Sequence, residues 1–382
     1  MDKYDFIIIG AGSVGVPLSY YLAKEGMRVL VIEKKKSVGQ GSNKAAIGGI
    51  RATHSNPAKI IVGKKSLEIF AKWHENHNIE WYRGGYSFVA YTPEIEKELK
   101  ELVKFQRSVG LNIEYLERDK LLEKIQSLNH DGLRGGTFSP EDGSASPLLT
   151  INSFYREAKK EGAKFMLDTE VKSFAISDGK ISEVKTTKGN FKGDIIINAA
   201  GAWGNIIQNL ADEEIPVKPD VHEAGITEPV KHFLDPMIVD LRSTDNSANF
   251  YFYQHSTGQV IFCLTPKEPR WGFDISETSF FLPVATRRMI SLVPRLANIR
   301  IRRTWAGIYP MTPDGNPIVG FSKKVKNLFV LGGMCGQGFM LGPGLGYYLA
   351  RYFKTGQQDE ELKTIFTEFN PYRDFGRKEK LK

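Results

Sequence analysis

The chain has 382 residues, 52 Lys and Arg against 44 Asp and Glu, a net charge of +8 and only two cysteines, Cys263 and Cys335. It is long enough to bury a large core in two domains. The cysteine count excludes a disulfide scaffold or a zinc ribbon, and no apolar run approaches the roughly 18 residues of a membrane span. Basic residues alternate with acids, as in EIEKELKELVKF and REAKKEGAKF, the pattern of solvated helix faces. Aromatic and basic residues are not interleaved into a nucleic-acid groove. No secretory leader precedes the first apolar run, so a cytoplasmic location is expected, with peripheral membrane association left open.

Phe6-Ile7-Ile8-Ile9 is apolar on both faces, as a buried parallel strand requires. Gly10, Gly12 and Gly15 follow in G-x-G-x-x-G spacing, then an apolar helix that Gly26 ends. Val29-Leu30-Val31-Ile32 is the next strand, and Glu33 follows it, about twenty residues after the glycines. This arrangement predicts a dinucleotide clamp, with phosphates at the helix N-terminus and Glu33 on the ribose hydroxyls. After a Gly- and Ser-rich loop, residues 57–78 read as an amphipathic helix and 84–91 as a strand. Helices near 93–109 and 118–126 follow, then a capped helix from Ser146-Pro147 to Gly162. Residues 165–204 read as strand, hairpin and strand ending in Ala199-Ala200-Gly201-Ala202. Residues 249–264 read as a strand pair around Gly258, and 327–353 as strand, glycine-rich turn and helix. RKEKLK near the C-terminus reads as a frayed basic tail.

Glycine-rich strand ends thus occur three times, near 10–15, 199–204 and 332–338. One extended cofactor crossing neighbouring strand ends accounts for all three, and the third loop offers a backbone nest for a flavin ring, which favours FAD over NAD.

The segments DFIIIGAGSVGVPLSYYLAKEGMRVLVIEK, DIIINAAGAWG, RTWAGIYPMTPDGNPIVG and LGGMCGQGFMLGPGLG resemble the D-amino-acid-oxidase-like flavoprotein family nearly end to end. GGIR and GQGFM look most like the β subunits of sarcosine oxidase and of dye-linked proline dehydrogenase. The resemblance implies an α/β fold: a Rossmann-like FAD-binding domain over 1–83, 144–215 and 318–382, and a substrate domain with a mostly antiparallel sheet over 84–143 and 216–317. It implies FAD contacts from Gly10, Gly12, Gly15, Glu33, Lys34, Gly41, Ser42, Gly48, Val171, Ala200, Gly201, Trp203, Gly333, Gly336, Gln337, Gly338, Phe339 and Met340. Gly307 stands where monomeric sarcosine oxidase attaches its flavin through cysteine, so FAD is expected to be non-covalent. An FMN at a subunit interface remains compatible, without the histidine attachment of the sarcosine oxidase β subunits.

Four residues are expected to carry chemistry. Arg51, in IGGIRATH, aligns with an arginine that grips a substrate carboxylate, and a guanidinium fork suits that task; the alternative is a surface arginine paired with a nearby acid. Tyr251 aligns with a substrate-facing tyrosine, with Tyr253 on the same strand face and read as core. His255 reads as exposed near a turn. Tyr309 replaces a carboxylate-binding arginine of glycine oxidase, and packing beside Pro310 explains it equally. Met340 replaces a lysine and provides a soft apolar wall.

The expected function is FAD-dependent oxidation of a small amino acid or N-substituted amino acid such as proline or sarcosine, by hydride transfer to flavin, with a quinone, dye-like carrier or oxygen as electron acceptor. Two alternatives stand: an FAD-carrying subunit that needs a partner chain, and a flavoenzyme acting on a tRNA-linked amine.

Overall fold

The computed structural model describes residues 3–381. The chain begins β1 (Lys3–Ile9), α1 (Gly15–Lys24), β2 (Val29–Ile32), β3 (Gly49–Ile50), α2 (Pro57–Asn76), β4 (Tyr86–Ala90) and α3 (Pro93–Ser108). It continues β5 (Glu114–Glu117), α4 (Arg118–Lys124), β6 (Gly135–Phe138), β7 (Gly143–Ser144), α5 (Pro147–Lys160), β8 (Lys164–Met166), β9 (Val171–Ser177), β10 (Lys180–Thr186), β11 (Gly189–Asn198) and α6 (Gly204–Asn209). The last third holds β12 (Lys218–Thr227), β13 (Met237–Asp240), β14 (Ser247–Gln254), β15 (Val260–Pro266), α7 (Phe281–Leu292), β16 (Ile301–Met311), β17 (Ile318–Phe321), β18 (Leu328–Gly332), α8 (Gly338–Thr355) and α9 (Glu360–Glu368).

One sheet runs in the order β17-β18-β11-β1-β2-β8, parallel except at β17, with β9 and β10 extending β11 as an antiparallel ribbon. Period-2 alternation divides its core. Phe6, Ile8, Val29 and Val31 pack under α1, α5, α8 and α9, while Ile7, Ile9, Leu30 and Ile32 pack under the ribbon. Burial on both faces is why these strands carry no polar alternation. Three helices begin at side-chain caps: Asn56, Thr92 and Ser146 accept from Lys59, Ile95 and Leu149 N–H, each with proline next, and the cap at Ser146 is the one the sequence predicts. In α8, a Cβ on Gly342 would lie 1.9 Å from the Ser13 carbonyl oxygen, and one on Gly344 2.4 Å from that of Val62. The run GPGLG therefore lets α8 press against both the first glycine loop and α2.

A second sheet runs β16-β12-β15-β14-β13-β4-β6-β5, antiparallel except for β13 beside β4. Phe250, Phe252 and Phe262 turn to one face, against α7; Tyr251 and Tyr253 turn to the other, towards the first sheet. The C-terminal tail departs from its reading as a frayed end. Glu379 and Leu381 are 4% and 2% exposed, because Glu379 finds a buried cation and Leu381 an apolar bed beside Tyr86, Met237 and Tyr253.

Among the described residues no helix is long and apolar enough to cross a membrane, and no cluster of His, Cys, Asp and Glu could hold a metal ion.

Candidate active site

A single cavity of about 800 Å³ runs from the carboxyl ends of β1 and β2 to the inner face of the second sheet. At its first end the three glycines do three different things. Gly10 has φ +110°, and a Cβ there would lie 2.5 Å from the Ala199 carbonyl oxygen. A Cβ on Gly12 would meet nothing within 4 Å, so this turn offers bare backbone to the cavity. A Cβ on Gly15 would lie 2.1 Å from the Gly10 carbonyl oxygen, so Gly15 lets α1 pack tightly and does not itself line the space. Glu33 is fixed at the lip: its carboxylate accepts from the backbone N–H of Ala11 and of Lys35, each at 2.8 Å.

Along the same cavity lie Gly10, Gly12, Glu33, Lys34, Gly41, Ser42, Gly48, Val171, Ala200, Gly201, Trp203, Gly336, Gly338, Phe339 and Met340. Gly333 and Gln337, also expected to touch the cofactor, do not line the cavity. Gly333 turns the chain at φ +64°, and Gln337, at the start of α8, keeps a buried side-chain oxygen without a partner among the described residues. A bare-backbone turn, a carboxylate at the lip and a long groove between two sheets fit an adenine dinucleotide. Gly307 also lines the groove; a Cβ there would come 2.6 Å from the Ala45 Cβ.

The other end has a different chemistry. β14, β15, β12 and β16 lie side by side there, and Tyr251, Cys263, His222 and Tyr309 line the space from those strands. The Tyr251 and Tyr309 hydroxyls are 2.8 Å apart. The His222 ring stacks on Tyr309, with centroids 4.0 Å apart and planes 11° from parallel. Tyr86, Met237 and Met340 complete an uncharged wall. Burial pushes the Tyr251 and Tyr309 hydroxyls well above the ordinary phenol range and the Cys263 thiol up to about 11, so all three keep their protons at neutral pH. Tyr253 lies behind this wall, its hydroxyl donating to the Ile47 carbonyl at 2.6 Å. His255 stands in the β14–β15 turn beside Thr257, 3.7 Å from the Glu80 carboxylate.

Arg51 does not line the cavity. It is 5% exposed, its Nη1 donates to the Thr53 carbonyl and sits 3.1 Å from His54 Nδ1, and its Nη2 donates to the Leu381 carbonyl at 2.6 Å. Neither the substrate-facing arginine nor the surface arginine of the sequence reading describes this placement. The physical reason is the tail: with residues 379–381 folded in, main-chain carbonyls take the fork. Burial lowers the pKa of Arg51 and drives His54 well below the ordinary imidazole range. Lys59 lies next in this cluster, donating to the Gly315 carbonyl at 2.6 Å and standing 3.5 Å from Glu379, with both side chains fully buried. Burial pushes the Glu379 carboxyl up, but Lys59 and the two Ser55 donors outweigh it and hold it below its usual range. Asp142 clamps the same region, accepting from Ala52 N–H at 2.9 Å and from the Thr53 and Ser139 hydroxyls; burial pushes it up to about 6.

Sequence reasoning missed His222, Cys263, Lys59 and Asp142. For His222 a signal existed: in KPDVHEAGIT, Asp220, His222 and Ala224 alternate onto one face. Lys59 carries none, because a lysine in a helix normally reads as solvent-facing.

The model of the FAD dependent oxidoreductase family matches residues 5–352. Among solved structures, L-proline dehydrogenase from P. horikoshii is 32% identical, with a TM-score of 0.90 over 97% of this chain and 98% of that one. Glycine oxidase from Geobacillus kaustophilus is 23% identical with a TM-score of 0.86 over 98% and 99%, a likeness of fold. Sarcosine oxidase subunit beta of Rhizobium meliloti is 24% identical over 92% of this chain and 85% of that protein. Rat dimethylglycine dehydrogenase is 25% identical over 94% of this chain, which spans only 44% of that protein.

Proposed function

Because the chain belongs to the FAD dependent oxidoreductase family, we propose that it oxidises a small amino acid or N-substituted amino acid, with L-proline first among the candidates. The observation that carries this reading is the Tyr251–Tyr309 hydroxyl pair, set in a neutral wall of the same cavity that Gly12 and Glu33 line at its far end. FAD, when bound, supplies the two-electron acceptor. Gly12, Glu33, Trp203, Gly338 and Met340 are the residues proposed to hold it. Tyr251 and Tyr309 keep their protons; one O–H is used in the bond between them, and the other can donate to a substrate carboxylate. The uncharged wall of Tyr86, Met237 and Met340 excludes water from the reacting carbon and favours a small, partly apolar substrate. The likeness to L-proline dehydrogenase supports proline in particular. A role for Arg51 in gripping the carboxylate stays part of the proposal and requires Leu381 to yield its hydrogen bond. The two sheets support the proposed division into an FAD-binding and a substrate domain.

The test is anaerobic mixing of the FAD-loaded protein with L-proline, sarcosine, glycine and D-alanine while the flavin absorbance is followed. Bleaching by L-proline at the lowest concentration is expected; an unchanged spectrum with every member of the panel sinks the reading.

A second reading, a subunit that works with a partner chain, draws support from Trp271, Ile275 and Phe280, which are 57%, 47% and 43% exposed on one loop. The mass by light scattering of the chain purified from its own cells, compared with that of the chain produced alone, separates the two.

A further inference from the structure

We propose that His222, held by Asp220, is the proton acceptor that takes the ammonium proton from the bound amino acid, an inference that rests on the reading above. His222 is 5% exposed and lines the cavity. Its Nδ1 is buried with no hydrogen-bond partner among the described residues. Buried polar atoms are rarely left so, and one on a cavity wall marks a place for a ligand group. Its Nε2 lies 3.0 Å from the Asp220 carboxylate. An ionised carboxylate can only accept, so Nε2 carries the hydrogen and the lone pair of the neutral ring stands on Nδ1.

The surroundings fix this arrangement. Asp220 is 5% exposed and also accepts from the Arg270 backbone N–H at 2.8 Å. Stacking on Tyr309 sets the plane of the imidazole. Across the β12–β16 ladder His222 faces Gly307, and Asp220 faces Tyr309, so no bulky neighbour opposes the ring from that register position. Four other proton-carrying side chains line this end, Tyr86, Tyr251, Tyr309 and Cys263. All four are held as neutral acids by burial, which leaves the imidazole as the base.

Oxidation at the α-carbon needs a free lone pair on the neighbouring nitrogen, and an amino acid arrives as its ammonium form. In the proposed step one N–H bond of the substrate breaks, its electron pair stays on nitrogen, and the proton bonds to Nδ1. Nothing is oxidised or reduced in this step. The resulting imidazolium is stabilised by Asp220, in the way an acid supports a histidine base elsewhere. After product release the proton returns to water in the cavity.

The experiment uses the FAD-loaded full chain and whichever amino acid bleaches the wild type. In His222→Asn, FAD content and the visible spectrum should persist while the anaerobic bleaching rate falls about 100-fold. Asp220→Asn should lose about tenfold. In His222→Ala, added imidazole should restore the rate at least tenfold, which a merely structural role would not allow. Independently of turnover, ¹⁵N spectra of histidine-labelled protein should show one Nε2–H tautomer that His222→Asn removes. A rate in His222→Asn within threefold of wild type overturns the proposal, as does a loss in FAD-retaining His222→Ala that imidazole does not restore. A hydrogen on Nδ1 in the ligand-free protein also overturns it. If His222→Ala fails to hold FAD, the His222→Asn rate and the tautomer decide. A wild type that no amino acid bleaches removes the amino-acid reading as well, whereas normal bleaching in both wild type and His222→Asn removes this inference alone.

Discussion

Arg51 Nη2 donates to the main-chain carbonyl of Leu381 at 2.6 Å, a bond that spans 330 positions of sequence. A guanidinium that the sequence assigns to a substrate is thereby held by the protein's own tail.

Arg51→Lys separates the two roles. Lysine keeps the charge but loses the fork that reaches Thr53 and Leu381 together. Two buried carbonyls then compete for one donor, and about 1–3 kcal/mol of stability should be lost by urea denaturation. If Arg51 also serves the carboxylate, KM for L-proline should rise at least tenfold with the flavin spectrum unchanged. An unaltered KM assigns the residue to structure alone.

Glu379→Gln should destabilise more, by about 3–5 kcal/mol at pH 7, because it leaves the Lys59 cation buried without its counter-charge. The folded carboxyl of Glu379 lies below its usual range. Its contribution is therefore present above the unfolded value and lost as pH falls through the folded one. Denaturation curves at pH 7 and at about pH 3 should show the gap between wild type and variant closing in acid.

Asp142 has the opposite sign. Its folded carboxyl is raised from 3.8 to about 6, so its stabilisation is complete below the unfolded value and lost as pH rises through about 6. Relative to Asp142→Asn, the wild type should lose up to about 3 kcal/mol between pH 4 and pH 7. Parallel pH profiles of the two proteins would refute this.

The glycines of the first turn should divide by role. Gly15→Ala drives a Cβ into the Gly10 carbonyl and should prevent stable folding, whereas Gly12→Ala places its methyl in open cavity space. The Gly12 variant should fold with nearly wild-type stability yet retain at least tenfold less FAD after gel filtration. In the wild type, acid precipitation should release all the yellow colour, because Gly307 offers no attachment point and Cys263, which lines the far end of the cavity, keeps its proton as a thiol. Colour in the pellet would refute the non-covalent assignment.

The parallel sheet and its glycine turn were legible in the sequence, because Phe6–Ile9 and Val29–Ile32 are apolar throughout and the G-x-G-x-x-G run allows few conformations. The helix over 147–160 follows from Ser146 standing before Pro147, and the one over 57–76 from its apolar stripe. Tyr251 and its partner Tyr309 were visible only by resemblance, since alternation puts Tyr251 and Tyr253 on one face without choosing between them. What could not be read depends on distant pairing. Nothing local tells Lys59 that Glu379 will neutralise it, or Arg51 that Leu381 will cap it. The strands β12 and β16, which deliver His222 and Tyr309, have mixed polar patterns because one face borders a cavity and not a core.

The packing of α8 on the first glycine loop, with Gly342 against Ser13, orders events during biosynthesis. Residues 10–15 leave the ribosome almost at once, but the helix that braces them, and the strands β17 and β18 that complete their sheet, are made near the end. Parallel pairings across such separations form late. A nascent chain arrested near residue 315 would thus carry the whole first turn and still lack its brace, so tight cofactor capture is expected only once α8 has been made.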